Sequence, residues 1–169
     1  MALSIFLQLD PGPSGPLSGE SVTRGHEREI EVLAFSWGAE QALTPGARPG
    51  GGASKTQFGA LSITKYVDSS SPGLFGALCA GTTIRTTGKL MLSRNTGEST
   101  PGEILRYEFT NLQVAKIELA VTAGSDASPT ENVEFVYSAL KTIYTPRDRA
   151  GKAQTPVSKG WDIATNRAS

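Results

Sequence analysis

The stretch LTPGARPGGGASKT, Leu43 to Thr56, sets three consecutive glycines ahead of a Lys-Thr pair. These are the residue types of a phosphate-binding loop, G-x-x-x-x-G-K-[ST], whose backbone N–H groups and lysine hold a nucleotide. Two requirements of that loop fail. Ser54 stands where the glycine before the lysine should be. The residues after Thr56 read as a strand, whereas the anion belongs at the N-terminus of a following helix. The stretch is therefore read as a Gly/Pro-rich connection over about 42–57, of a length that is either disordered or adapted to binding.

Cys79 with His26 as its base would make a thiol nucleophile. Nothing in the sequence brings the two together, and Cys79 falls on the apolar side of a short helix, the expected place of a buried structural thiol. Glu27, Glu29 and Glu31 alternate, so a strand beginning that early would line up three carboxylates for a cation or for glycoside hydrolysis. A solvated strand face is the plainer reading. The single His has no context that marks a Ser-His-Asp set. No catalytic, cofactor-binding or metal-binding residue is assigned. One Cys and one His also exclude an intrachain disulfide and a zinc site built from Cys and His.

The 169 residues fit one domain, 1–169, with 38% hydrophobic residues for a core and 19 Gly and 10 Pro for turns. Sixteen basic and sixteen acidic residues balance, so there is no general field for nucleic acid or an anionic membrane. The ends differ, however. Residues 1–40 carry six acids against Arg24 and Arg28, net −4; residues 141–169 carry six bases against Asp148 and Asp162, net +4. Solvated surface accounts for this, and so does attraction between opposite ends in head-to-tail assembly. No apolar run reaches a membrane span of about 20 residues. The start, MALSIFLQLDPG, lacks the basic region of a signal peptide. The expectation is folding in the cytoplasm.

Strand signals dominate the elements that would position any site. SIFLQLD is a short apolar run ended by Pro11, Gly12 and Pro13. REIEVLAFSWG, Arg28 to Gly38, has the faces Ile30, Val32, Ala34 and Glu31, Leu33, Phe35, Trp37, the second turning from acidic to apolar. Leu61 and Ile63 alternate with Ser62 and Thr64 as a half-buried strand. SSPGLFGALCAG then changes period: Ser71 caps, Pro72 starts, Gly81 ends a short helix with Leu74, Leu78, Phe75 and Cys79 on one face. TIRTT and KLMLSRN resume strands. EILRYEFTNLQVAKIELAV is too long for one plain strand, and its apolar parity slips twice, which predicts bulges or bends. NVEFVYSALKTIYT is apolar on both faces and so needs a second covering layer, which a neighbouring subunit could supply. The fold class is all-β with one short α-helix.

GES at 19–21 with HEREIEVLAFSWG at 26–38 resembles the opening signature of the haemolysin-coregulated protein family (Hcp), the tube proteins of bacterial type VI secretion. LSITKYVDSSSPGLFGALCAGT at 61–82 looks like its next block, and TENVEFVYSALKTIYTP at 130–146 and GWDIATN at 160–166 look like its two C-terminal blocks. The resemblance runs in order along nearly the whole chain. It implies a barrel-like pair of antiparallel sheets, a homohexameric ring and stacked rings forming a tube. Its implied partners are contractile sheath proteins, a tip spike trimer and small effector proteins carried in the channel, with assembly in the cytoplasm followed by secretion. It also implies that the 42–57 connection reaches neighbouring subunits. Arg48, Gly50, Gly51, Gly52 and Lys55, with Trp161 and Asp162 of the last block, are then subunit-contact candidates. DPGPSGPLS lengthens the first turn beyond the family's usual one, and with so little sequence after Gly160 the expectation is a member without a fused toxin domain. The alternatives are a monomeric ligand- or carbohydrate-binding β-domain, with exposed aromatics around Trp37 and Trp161, and a thiol enzyme with a reactive Cys79. Trp37 is otherwise read as core packing.

Overall fold

The computed structural model describes residues 3–9, 17–42, 55–84, 87–94, 102–124, 127–149 and 151–169. Within them the chain runs through β1 (Leu3–Gln8), β2 (Ile30–Ser36), β3 (Ala39–Glu40), β4 (Gln57–Phe58), β5 (Leu61–Tyr66) and α1 (Ser71–Ala80). It continues through β6 (Thr83–Ile84), β7 (Gly88–Arg94), β8 (Gly102–Thr110), β9 (Leu112–Ala120) and β10 (Thr130–Val136). It closes with β11 (Ala139–Tyr144), β12 (Val157–Asp162) and β13 (Arg167–Ala168). Eleven strands form one antiparallel sheet in the order β13-β12-β11-β8-β7-β1-β2-β5-β10-β9-β6, and β3 and β4 pair separately as a small hairpin.

The sheet is barrel-like because one long ribbon belongs to both of its halves. β8 pairs with β11 near one end of the strand order, and β9 pairs with β10 near the other. Yet only Asn111 separates β8 from β9, and only Tyr137 and Ser138 separate β10 from β11. The ribbon must therefore fold over at this corner and bring the two halves face to face. Asn111 takes the left-handed conformation (φ 54°), which Asn tolerates better than most residues. Its side-chain amide donates to the Ser138 hydroxyl at 2.9 Å, and the Ser138 N–H donates to the Thr110 carbonyl at 3.0 Å.

The corner explains the first slip of parity read along 103–121. The second is a bulge: Glu134 faces Lys116 and Phe135 faces Val114, so Ala115 is the extra residue. Another bulge sits in β2, where Val32 opposes Lys65 and Ala34 opposes Thr64, leaving Leu33 unmatched. It accounts for the change in character of that strand. Ile30 and Val32 face the core before it; Phe35 and Trp37 pack against the core after it.

Both halves fill one core. Leu7, Ile30, Leu61, Leu90, Phe109, Leu112, Val133 and Phe135 are each fully buried in it. Each such side chain contributes about 1.5–3 kcal/mol of burial, as an upper value. An aromatic row lies beside them: Trp37 meets Tyr107 edge-on at 5.4 Å, and Tyr137 meets Phe109 at 4.9 Å.

Several sequence expectations are corrected. Ser70, not Ser71, is the N-cap of α1, because Asp68 draws the chain into a turn by accepting the Ser70 N–H. Gly81 ends the helix in the left-handed conformation, as its position predicts. Leu74 and Ala77 form the buried face, while Phe75 and Cys79 point outward, so Cys79 is exposed rather than a buried thiol. The strand after Arg28 begins only at Ile30, which leaves Glu27 and Glu29 in a turn and breaks the supposed row of three carboxylates. The stretch 133–144 is two strands, and of its second face, Val136, Leu140 and Tyr144, Leu140 is buried in this chain's own core while Val136 and Tyr144 are exposed.

Candidate functional site

Any assembling surface depends on how the loops and helix are fixed to the sheet, and two buried polar clusters do this. The first centres on Lys65. Leu61, Ile63 and Lys65 share the inward parity of β5, and Glu131, Val133 and Phe135 share that of β10. The register sets Lys65 directly opposite Glu131. The Lys65 ammonium, wholly out of water, donates to Glu131 Oε1 at 2.8 Å, to the Tyr66 carbonyl at 2.8 Å and to Ser71 Oγ at 3.1 Å, and lies 2.9 Å from Asp68 Oδ1. Ser71 Oγ in turn donates to Glu131 Oε1 at 2.7 Å and accepts the Asp68 N–H. Burying an ammonium this deeply is tolerable only with such pairing. The result ties β5, β10 and the start of α1 into one unit.

The second cluster fixes the segment 17–29 to the outer side of the sheet. His26 stacks on Phe6 with ring centroids 4.1 Å apart, and its Nδ1 lies 2.8 Å from Glu29 Oε2. Its Nε2 faces the buried Ser93 hydroxyl at 3.4 Å. Burial pushes the Glu29 carboxyl above the usual range, and its bond to His26 opposes that shift. Serine, histidine and a carboxylate thus stand in line, but Ser93 is fully covered, so no substrate reaches it in this arrangement. The same segment is held at its other end by Glu20, which accepts the Ser69 N–H at 3.0 Å, and by Ser69 Oγ, which donates to the Ser18 carbonyl. Sequence reading singled out neither cluster. A lysine at an apolar parity position was the visible signal for the first; in the second His26 and Glu29 are three residues apart, but their meeting with Phe6 and Ser93 left no mark in the sequence.

The sheet ends in two unlike edges. β6 covers β9 only at Leu112 and Gln113, so beyond Gln113 that side of β9 pairs with no strand among the described residues. β13 covers β12 only at Trp161 and Asp162. Val157–Lys159 have no strand partner on that side among the described residues. Leu119 and Val121 are exposed at the first edge. Tyr144 and Val157, directly opposite one another, are exposed at the second.

The sequence-derived contact candidates are distributed over separate elements. Arg48, Gly50, Gly51 and Gly52 lie outside the described residues. Lys55 is exposed just before β4. Trp161 is half-buried in β12, with an indole N–H that is covered and meets no acceptor among the described residues. Asp162 accepts the Thr165 N–H at 2.8 Å, the bond that chiefly holds its carboxyl below the usual range and shapes the turn into β13. Trp161 takes no part in the aromatic row around Trp37, so the two tryptophans do not make the joint aromatic platform that a carbohydrate site would use.

Comparison with known proteins agrees with this architecture. The profile described as "Type VI secretion system effector, Hcp" matches residues 6–144. Protein hcp1 of Pseudomonas aeruginosa is 34% identical over 167 residues, covering 98% of each chain. A solved type six secretion system protein superposes with a TM-score of 0.87 at 28% identity, over 99% of this chain and all of that one. Hcp1 from Salmonella typhimurium does so with a TM-score of 0.78 at 30% identity over the full length of both. With its rolled sheet, its short helix and a family profile that matches residues 6–144, the chain belongs to the Hcp family of the type VI secretion system.

Proposed function

We propose that this protein is the structural subunit of a type VI secretion inner tube. Six copies close into a ring, rings stack, and the channel carries or chaperones small effectors, with a contractile sheath outside and a spike trimer at the tip. Assembly in the cytoplasm precedes secretion. The observation that carries this reading is the pair of unlike open edges, each with exposed apolar residues. Two different surfaces that recognise each other join copies head to tail, and a head-to-tail contact that closes makes a ring. The opposite net charges of the two ends of the chain favour the same join. Arg48, Gly50, Gly51, Gly52, Lys55, Trp161 and Asp162 are retained as contact candidates in this reading, with no catalytic role assigned to any residue.

Light scattering followed by negative-stain imaging tests it. Six subunits of 17.8 kDa give about 107 kDa, and the particle should be a hollow ring. A folded monomer at every concentration and salt would sink the proposal.

A further inference from the structure

A fork lies inside the sheet, away from both of its ends. β1 and β2 pair only from Ile5↔Val32 to Leu7↔Ile30. β1 nevertheless begins at Leu3, held on its other side by β7 through Leu3↔Arg94 and Ser4↔Ser93. β2 likewise continues to Ser36, held on its other side by β5. The strands part where Leu33 bulges out of register, since a bulge bends its strand away from its neighbour. A cleft of about 270 Å³ occupies the fork, with Leu3, Ser4, Glu31 and Leu33 on its walls and Thr23 at its rim. Leu3 and Leu33, at 52% and 45% exposure, are the apolar flanks; Glu31 is an exposed carboxylate without an ion-pair partner among the described residues.

We propose that this fork is a docking slot for an extended segment of a partner protein, one that alternates apolar and basic residues. Three features point to that occupant. The sides of Leu3–Ser4 and Leu33–Ser36 that face the fork pair with no strand among the described residues, and unpaired strand edges take up extended peptides through backbone hydrogen bonds. The two leucines offer apolar seats of the kind that give such binding its specificity. Glu31, on the cleft wall, selects a cation and repels an acidic segment. The slot is distinct from the sheet edges used in the assembly reading and does not depend on it.

The test uses the full-length protein and a fluorescein-labelled, end-blocked peptide of sequence Thr-Val-Lys-Val-Thr-Val, read by fluorescence anisotropy. Saturable binding is expected, weakened about tenfold or more by Glu31→Lys and by Leu33→Asp, with the Lys-to-Glu peptide equally weak. Both positions are exposed, so melting temperatures of the variants should stay near the parent's, and Glu31→Lys carries the test if Leu33→Asp does not fold. Absence of saturable binding overturns the proposal, as does equal binding by the parent and both variants. A third result, no peptide binding while Leu33→Asp abolishes assembly in light scattering, also overturns it and assigns the fork to a second copy of this chain.

Discussion

An ammonium group removed from water is stable only while its charge is answered, and at Lys65 the answer comes from three segments of chain at once. Lys65→Met leaves Glu131 buried without its cation and should destabilise the fold by about 3–5 kcal/mol in chemical denaturation. Changing Glu131→Leu as well should recover only part of that loss, because the Asp68 carboxylate, 2.9 Å from the lost ammonium, stays largely covered without a cation. Asp162 makes a different case, a partly exposed group whose effect follows pH. Its carboxyl is held low chiefly by the Thr165 N–H. A lowered carboxyl stabilises the fold above its unfolded value, near 3.9, and the benefit fades as pH falls through the lower folded value. Thermal melts of the parent and Asp162→Asn should differ at pH 7 and draw together as pH falls below the unfolded carboxyl value. The lysine was half legible in the sequence: Lys65 shares parity with Leu61 and Ile63, and Glu131 with Val133 and Phe135. The register that sets one opposite the other was not, since pairing across 66 residues leaves no local mark.

Elements bend where single residues allow it. At Asn111 the left-handed backbone (φ 54°) penalises a β-branched side chain, so Asn111→Val should cost about 1–2 kcal/mol, whereas Asn111→Gly loses little beyond the bond to Ser138. Gly19 acts through closeness instead. A Cβ there would fall on the Glu29 carbonyl oxygen and 2.6 Å from the Ile30 Cα, both backbone atoms that cannot yield. Gly19→Ala should therefore destabilise by about 1–3 kcal/mol and free the segment that carries His26. The bends of 103–121 were legible because each slip moves the apolar residues to the other face of the strand. The break at Tyr137 and Ser138 was not. Tyr137 keeps the parity of Val133 and Phe135 and packs on Phe109, so the apolar pattern passes through the corner without interruption. The helix deceived for a related reason: its ten residues carry no charge, so composition marks no outward face, and Phe75 and Cys79 look as buried as Leu74.

At the scale of the whole molecule, the edges are the surfaces to change. Leu119→Lys adds a charge at an exposed position of the open β9 edge, where folding stability should move by no more than about 0.5 kcal/mol. In the assembly reading it shifts the mass in light scattering from about 107 kDa toward the 17.8 kDa subunit. A particle of unchanged mass would remove β9 from the contact. Fold class and family were readable along the chain because several separate motifs stand in the family's order; the two edges were not, since an edge is defined by a partner that is missing.

The folded-over ribbon also sets a clock. β5 waits for β10, and Lys65 for Glu131, across 66 residues of chain. At a synthesis rate of about 5–20 residues per second that is a delay of several seconds. Contacts so distant in sequence make folding slow. Until residue 168 has emerged, the nascent chain presents unfinished strands to its neighbours on the polysome. In the assembly reading, each subunit must therefore finish its own sheet before its copies can reach it.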